Sequence, residues 1–274
     1  MSIDNPDISN KEFALFQRLI YRLAGINLAD SKKVLLVGRL SRRLRHYGLN
    51  SFGDYYRMLA SGEHALELQM MVDLLTTNET YFFREPAHFD LLRDIAASRR
   101  GSHFRIWSGA SSSGEEAYTM AMVLAETLGM RASWEVVGSD ISMTVLERAE
   151  IGHYPMERAS GIPPELLRKY CLKGVREQAG TLLINPQLRE RVSFRQLNLI
   201  ALEARDLGEF DVIFLRNVMI YFDNDTKRKV VANMLPHLRD DGYFVVGHSE
   251  TLNGLCDDLV AVRPTLYRRP AYAR

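Results

Sequence analysis

Gly109 and Gly114 bracket a run of small residues, Ala110 to Ser113, and an acid, Asp140, closes the next strand-like stretch. Small residues let a ligand approach the backbone closely, where a bulky loop would block it. A carboxylate at the end of the second strand of such a unit accepts both hydroxyls of a ribose. The chemistry is that of a nucleotide-type site. No Ser–His–Asp or Cys–His arrangement stands out, and His248 in GHSE, the one tempting histidine, reads as structural. Asn78, Thr80 and Arg84 in TTNETYFFRE place amide, hydroxyl and guanidinium groups toward a ligand where a helical region meets an α/β one, a usual place for sites. A second set is cationic. Lys32, Arg39, Arg42, Arg43 and His46 fall on one helical arc, with Lys33 and Arg45 at its flanks and no acid between. Natural solvated faces mix signs, so an unbroken basic stripe predicts an acidic partner.

The elements that must position these groups follow from periodicity. Phe104, Ile106 and Trp107 form a strand, the small-residue loop turns, and EEAYTMAMVLAETLG continues as a helix with Ala117, Met120, Ala121, Leu124 and Leu128 on one face. A second strand, Trp134 to Gly138, leads into Asp140, with Ser142 suited to cap the helix after it. The glycine-to-acid separation exceeds the dinucleotide spacing of about 20 residues because the intervening helix is long. Upstream, Ser9 to Leu75 reads as helical: one helix capped at Ser9 or Asn10 and ended by Gly25, the polarised helix Asp30–Tyr47 with Val34, Val37, Leu40 and Leu44 inward and Asp30 or Ser31 as cap, then Ser51–Ala60 and His64–Leu74. The segment 78–84 reads as extended, so that alternate residues point opposite ways. Thr181–Ile184 and Val192–Phe194 read as strands of a small antiparallel insert. Val212 to Leu215 is the apolar run of a central parallel strand, Asp225 caps a helix, and the C-terminal stretch ends as a terminal strand or hairpin. This order predicts an α/β fold, a mostly parallel sheet with helices on both faces.

At 274 residues the chain holds one large or two modest domains, and its 46% hydrophobic content supplies ample core. A net charge of +1 argues against a generally basic nucleic-acid binder. Two cysteines, Cys171 and Cys256, give no disulfide framework and no metal spacing. With no signal-like N-terminus and no apolar run of about 18–20 residues, the expectation is a cytoplasmic protein that does not insert in a membrane.

NETYFFRE, SGASSSGEEAYTMA, VVGSDIS, FDVIFLRNVMIYFD and DGYFVVGHSETL, in that order, resemble the CheR family, S-adenosylmethionine-dependent glutamate O-methyltransferases of bacterial chemoreceptors. The resemblance covers essentially the whole chain. It implies a Rossmann-like methyltransferase sheet with an N-terminal all-helical domain and a small antiparallel β-subdomain insert: residues 1–77 as receptor-binding domain, 78–101 as linker and first helix, and 102–274 as methyltransferase domain with the insert at about 168–196. It implies roles by position. Asn78, Thr80 and Arg84 would meet the methionine end of the cofactor or the transfer site, Glu115 its amino group, Asp140 the ribose, Asn198 and Leu199 the adenine. Asn217 and Val218 would line the cleft, and Tyr221 would face the methyl group, leaving Arg84 and Tyr221 as the catalytic pair. Substrate contact would fall to Lys32, Lys33, Arg39, Arg42, Arg43 and Arg45.

The resemblance further implies S-adenosylhomocysteine as product, no metal, the cytoplasmic helices of chemoreceptors as partners, and in some relatives a receptor C-terminal peptide on the β-subdomain or a regulatory adaptor. A receptor glutamate is already ionised at pH 7, so transfer needs no general base. Two other classes stand beside this reading. A nucleic-acid methyltransferase would use the stripe on phosphates, against which stand the near-neutral charge and RNVMIY in place of an NPPY-like motif. A non-catalytic cofactor-binding scaffold is disfavoured by the intact Arg84, Asp140, Asn217 and Tyr221.

Overall fold

The computed structural model describes residues 7–202 and 207–270. They form two compact units: one runs to Thr77 and takes in Tyr221–Thr226, the other holds the remainder. Among the described residues no helix is long and apolar enough to cross a membrane.

In the first unit α1 (Asn10–Ala24), α2 (Lys33–His46), α3 (Phe52–Ala60) and α4 (Ala65–Leu75) bury Phe16, Leu36, Leu40, Tyr55 and Met71. Ser9 and Glu12 form a capping box on α1, and Gly25 closes it at φ 71°. A cap of this kind is worth about 1 kcal/mol. The expected cap of α2 is absent. Residues 30–32 form a 3-10 turn, neither Asp30 nor Ser31 caps the helix, and Asp30 Oδ1 instead accepts from Gln17 Nε2 at 2.9 Å. The inward arc also differs: Val34 is 82% exposed, while Leu36, Leu40 and Leu44 are fully buried. Residues four apart stack on one helical face, and Val34 lies about 200° round the helix from Leu36.

The second unit opens with α5 (Ala87–Ser98). β1 (Phe104–Ser108), α6 (Glu115–Leu128), β2 (Trp134–Asp140) and α7 (Met143–Ile151) follow. A run of short elements comes next: β3 (His153–Pro155), α8 (Pro164–Tyr170), β4 (Cys171–Lys173), β5 (Thr181–Ile184) and α9 (Pro186–Arg189). The chain then adds β6 (Val192–Gln196), β7 (Phe210–Leu215), α10 (Asn224–Met234), β8 (Leu238–Val246), β9 (Val260–Arg263) and β10 (Leu266–Arg268). The main sheet has the order β6-β2-β1-β7-β8-β10-β9. The pairs β2–β6, β1–β2, β1–β7 and β7–β8 are parallel, and β10 runs antiparallel to both β8 and β9. Every residue of β7 is buried, as a strand covered on both faces requires. Strands later in the chain fall on both sides of β1, so the strand order reverses there, and in such sheets the ligand crevice opens at the carboxyl ends of the strands.

Three further expectations are corrected. The small sheet has the order β3-β5-β4 and begins at His153, not near residue 168. Val192–Phe194 does not belong to it: these residues lie in β6 and pair parallel with β2. A strand of three to five residues carries no mark of its partner, because strand preference is set by the neighbours it packs against. Asp225 lies inside the first turn of α10, and Asp223 Oδ1 does the capping, accepting from Thr226 N at 2.8 Å.

Candidate active site

The loop between β1 and α6 is pinned at nearly every residue. Gly109 N donates to Phe214 O (2.8 Å), Ser111 N to Ser139 O (2.8 Å) and Gly114 N to Ser111 O (3.0 Å). Ser112 N donates to Asp140 Oδ2 at 3.0 Å, and Ser112 Oγ reaches Asn78 O at 2.9 Å. Asp140 Oδ1 accepts from Ser142 N at 3.0 Å, which fixes the carboxylate at the end of β2. Tyr154 of the small sheet donates its hydroxyl to Ser113 O at 2.6 Å. Gly114 turns into α6 at φ 93°, and a Cβ there would come 2.8 Å from Ala149 Cβ, so only glycine fits.

Two hydroxyls here are buried without a partner among the described residues: Ser111 Oγ in the loop and Ser142 Oγ just beyond Asp140. Buried polar groups are normally paired, and orphans beside a fixed carboxylate suit the hydroxyls of a sugar. Glu115, fully buried at the first turn of α6, carries an anionic group suited to an ammonium. The residues therefore fit an adenosyl amino acid. Ser142 stands at the N-cap of α7 as expected, but makes no side-chain cap bond.

A second network organises the end of β7. Arg216, 5% exposed, donates through Nη1 to Glu116 Oε2 (2.9 Å) and through Nη2 to Glu85 Oε2 (3.0 Å) and Arg84 O (2.5 Å). Its guanidinium lies over Phe89 and Phe214, 5.5 and 5.8 Å from the ring centres. Glu116 also accepts from Ser108 Oγ (2.7 Å). Asn217, at φ 58°, donates Nδ2 to Glu85 Oε1 (3.1 Å) and its backbone N to Glu250 Oε2 (2.8 Å). Burial tends to raise the Glu85 pKa, but the bonds from Asn217 and the Arg216 charge outweigh it and hold it low. For Glu250 burial wins over its backbone donors, and its pKa is raised. His88 is 3% exposed; its Nε2 pairs with Thr265 Oγ1 at 2.8 Å, and its Nδ1 lies 3.3 Å from Glu85 Oε2 without hydrogen-bond geometry. Burial first, then Arg216, pushes His88 down to about 4. His248 is exposed and packs edge-on against His88.

These contacts locate the residues singled out from sequence. Asn78 and Asp140 meet through Ser112. Asn198 caps the short turn Leu199–Ala201 after β6, and Leu199 is 8% exposed with its carbonyl accepting from Asn233 Nδ2 (2.8 Å). Arg84 and Thr80 are half-buried, and Arg84 Nη1 donates to Glu79 O at 3.1 Å. From Phe82 to Pro86 the segment is not extended: turns and bends follow one another, with Phe83 and Glu85 both at φ 57°. Phe82 is fully buried in the core of the α/β unit, against Tyr154, and Tyr81 is exposed. Tyr221 belongs to the helical unit, its carbonyl accepting from Asn27 N at 2.8 Å.

In that unit the basic stripe narrows. Arg43 forks onto Glu67 of α4 (Nε 2.8 Å, Nη2 2.5 Å), which also accepts from Tyr55 (2.6 Å) and Tyr47 (3.2 Å). Burial raises the Glu67 pKa, but the Arg43 and Tyr55 bonds prevail and hold it low. Arg39 Nη1 donates to Thr76 O at 2.9 Å, and Lys33 to Asn10 Oδ1 at 3.1 Å. Lys32, Arg42, Arg45 and His46 are exposed.

Sequence reasoning missed Arg216, Glu116, Glu85 and Glu250. One signal was available: an arginine closing the apolar run Val212–Leu215 needs buried partners.

A pinned small-residue loop, an acid on the second strand and a reversal of strand order define the nucleotide-binding class of α/β protein. The chain belongs to the CheR methyltransferase family: residues 78–267 match its SAM binding domain and residues 11–76 its all-alpha domain. It is 43% identical over 249 residues to the chemotaxis protein methyltransferase of Escherichia coli (strain K12), covering 90% of this chain and 87% of that one. It is 42% identical to chemotaxis protein methyltransferase 2 of Pseudomonas aeruginosa, covering 97% and 98%. Among solved structures, the glycopeptide N-methyltransferase MtfA complexed with S-adenosyl-L-methionine is a distant likeness, with TM-score 0.35 and 17% identity over 58% of this chain and 48% of that one.

Proposed function

We propose that this protein transfers the methyl group of S-adenosylmethionine to glutamate carboxylates of chemoreceptors, giving methyl esters and S-adenosylhomocysteine. The observation that carries this reading is the match to both family domains, with identity above 40% to chemotaxis protein methyltransferases along nearly the whole chain. Bound S-adenosylmethionine supplies an electrophilic methyl group on a sulfonium. The rest falls to the chain's own residues. Asp140 takes the ribose hydroxyls, Glu115 the ammonium, and Leu199 with Asn198 the adenine. Asn78, Thr80 and Arg84 hold the methionine end, while Asn217 and Val218 line the cleft. A glutamate carboxylate, with a reference pKa near 4.3, arrives ionised, so no side chain has to remove a proton. Catalysis then rests on alignment of the two reactants and on exclusion of water from the carboxylate. Arg84 orients that carboxylate. Arg216 does not touch it; it holds Arg84 through the backbone carbonyl at 2.5 Å.

The exposed cations Lys32, Arg42 and Arg45 suit the acidic surface of receptor helices. The test is labelled methyl transfer to a panel of receptor cytoplasmic fragments, with the label released as methanol in mild base, as an ester requires. Label that is stable to base, or found on nucleic acid instead, would remove the reading.

A further inference from the structure

Resting on the reading that this site carries out methyl transfer, we propose that Glu250 is a positioning residue for the reaction. Its carboxylate stands in for the next rung of the ladder between β7 and β8, and so fixes the turn at Asn217 and Val218 that lines the cleft. Neither the family motifs nor the cofactor chemistry assigns it a role.

The parallel register of β7 and β8 ends at Leu215 and Val246. Glu250 N donates to Gly247 O at 2.9 Å, so the chain after β8 turns back and brings the Glu250 side chain to both strand ends. Its Oε2 accepts from Gly247 N and from Asn217 N, each at 2.8 Å, and its Oε1 accepts from Met219 N at 2.8 Å. Backbone donors from two strand extensions thus converge on one carboxylate. Glu250 is 8% exposed and Met219 1%, while Asn217 and Val218 are half-buried.

Burial penalises the charge on Glu250, and among the described residues no cation pairs with it. A neutral amide would be cheaper to bury, but it has one acceptor oxygen where the carboxylate has two, and its NH2 would face an N–H. Charge-assisted bonds to backbone N–H are also the stronger kind. Asn217 needs such a clamp. Its φ of 58° lies in the left-handed region, sparsely used outside glycine. Its side chain is tied separately, Nδ2 to Glu85 Oε1 at 3.1 Å. Gly247 leaves room for both ties: a Cβ there would come 2.7 Å from Asn217 Nδ2 and 2.8 Å from Glu250 Oε2. The turn is therefore held by its backbone and by its side chain at once. A reaction that rests on alignment depends on this, because a misplacement of about 1 Å costs up to about 100-fold in rate.

The experiment compares wild type, Glu250→Gln and Gly247→Ala in the full-length protein. The readouts are labelled methyl transfer to a receptor cytoplasmic fragment, calorimetry with S-adenosylhomocysteine, and amide hydrogen exchange of the peptide 215–221. Glu250→Gln should lower kcat about tenfold or more, with KM for the fragment and affinity for S-adenosylhomocysteine each within about threefold of wild type. Exchange at Asn217 and Met219 should speed up by about tenfold or more while β1 and β2 stay protected. Gly247→Ala removes no charge but should give the same split, and the double variant should fall short of the product of the two losses. A kcat within about twofold of wild type, or turnover and S-adenosylhomocysteine affinity lost in equal measure, overturns the proposal. If Glu250→Gln does not fold, Gly247→Ala decides by the same readouts. Wild-type protein that binds S-adenosylhomocysteine yet methylates no receptor fragment would instead refute the methyl-transfer reading beneath it. Exchange at Asn217 and Met219 that the substitutions leave unchanged would overturn the clamp in either case.

Discussion

Replacing Arg216 by Met keeps most of the side-chain volume over Phe89 and Phe214 and deletes the charge. The side chain is 1% exposed, and its two terminal nitrogens serve two carboxylates and one carbonyl. Among the described residues Glu116 keeps Ser108 Oγ, and Glu85 keeps Asn217 Nδ2 and the backbone N of His248. Both acids are 14% exposed on the side chain, so water compensates poorly. Removing one partner of such a cluster costs about 3–5 kcal/mol, because buried charge is left without a counter-ion. With an m-value of roughly 2 kcal/mol per molar urea, the midpoint should fall by about 2 M. The chain's two tryptophans, Trp107 and Trp134, are both buried in the α/β unit, so intrinsic fluorescence follows that unit alone. Glu116→Gln added to Arg216→Met should restore part of the loss, with a coupling of about 1 kcal/mol or more. A midpoint lowered by less than about 0.5 M, or strict additivity of the two substitutions, would refute the account of Arg216 as the charge that holds this edge together.

Asp140→Ala should abolish detectable S-adenosylhomocysteine binding by calorimetry while ellipticity stays native; affinity within threefold of wild type would remove Asp140 from the ribose site. His88, held down to about 4 from its ordinary 6.5, stays neutral where the unfolded chain takes up a proton. Stability present above pH 6.5 is therefore lost as pH falls toward 4, by up to about 3 kcal/mol, and His88→Gln should flatten that slope in urea titrations followed by fluorescence. Arg42→Glu/Arg45→Glu should weaken receptor methylation and its salt dependence without changing affinity for S-adenosylhomocysteine; parallel loss of both would argue against a receptor-facing stripe. Glu67→Gln, by contrast, should destabilise the helical unit by roughly 2–4 kcal/mol in far-ultraviolet circular dichroism, because it breaks a buried pair rather than a surface one.

Local periodicity was enough to place most helices, the loop from Gly109 to Gly114 and Asp140, because capping, turns and amphipathic faces are decided by residues a few positions apart. The motifs then named the family and a list of ligand-facing positions. Pairing across distance was not legible. Val192–Phe194 looked like a strand of the insert, and its place beside β2 emerged only when parallel strands far apart in sequence came together. Arg43 looked like one more member of an unbroken cationic arc, because its counter-ion Glu67 comes from another helix. Arg216 gained its role only through a carboxylate 100 positions away. Charge pairing and burial are properties of space, and the intervals in the chain that bring such groups together follow no period.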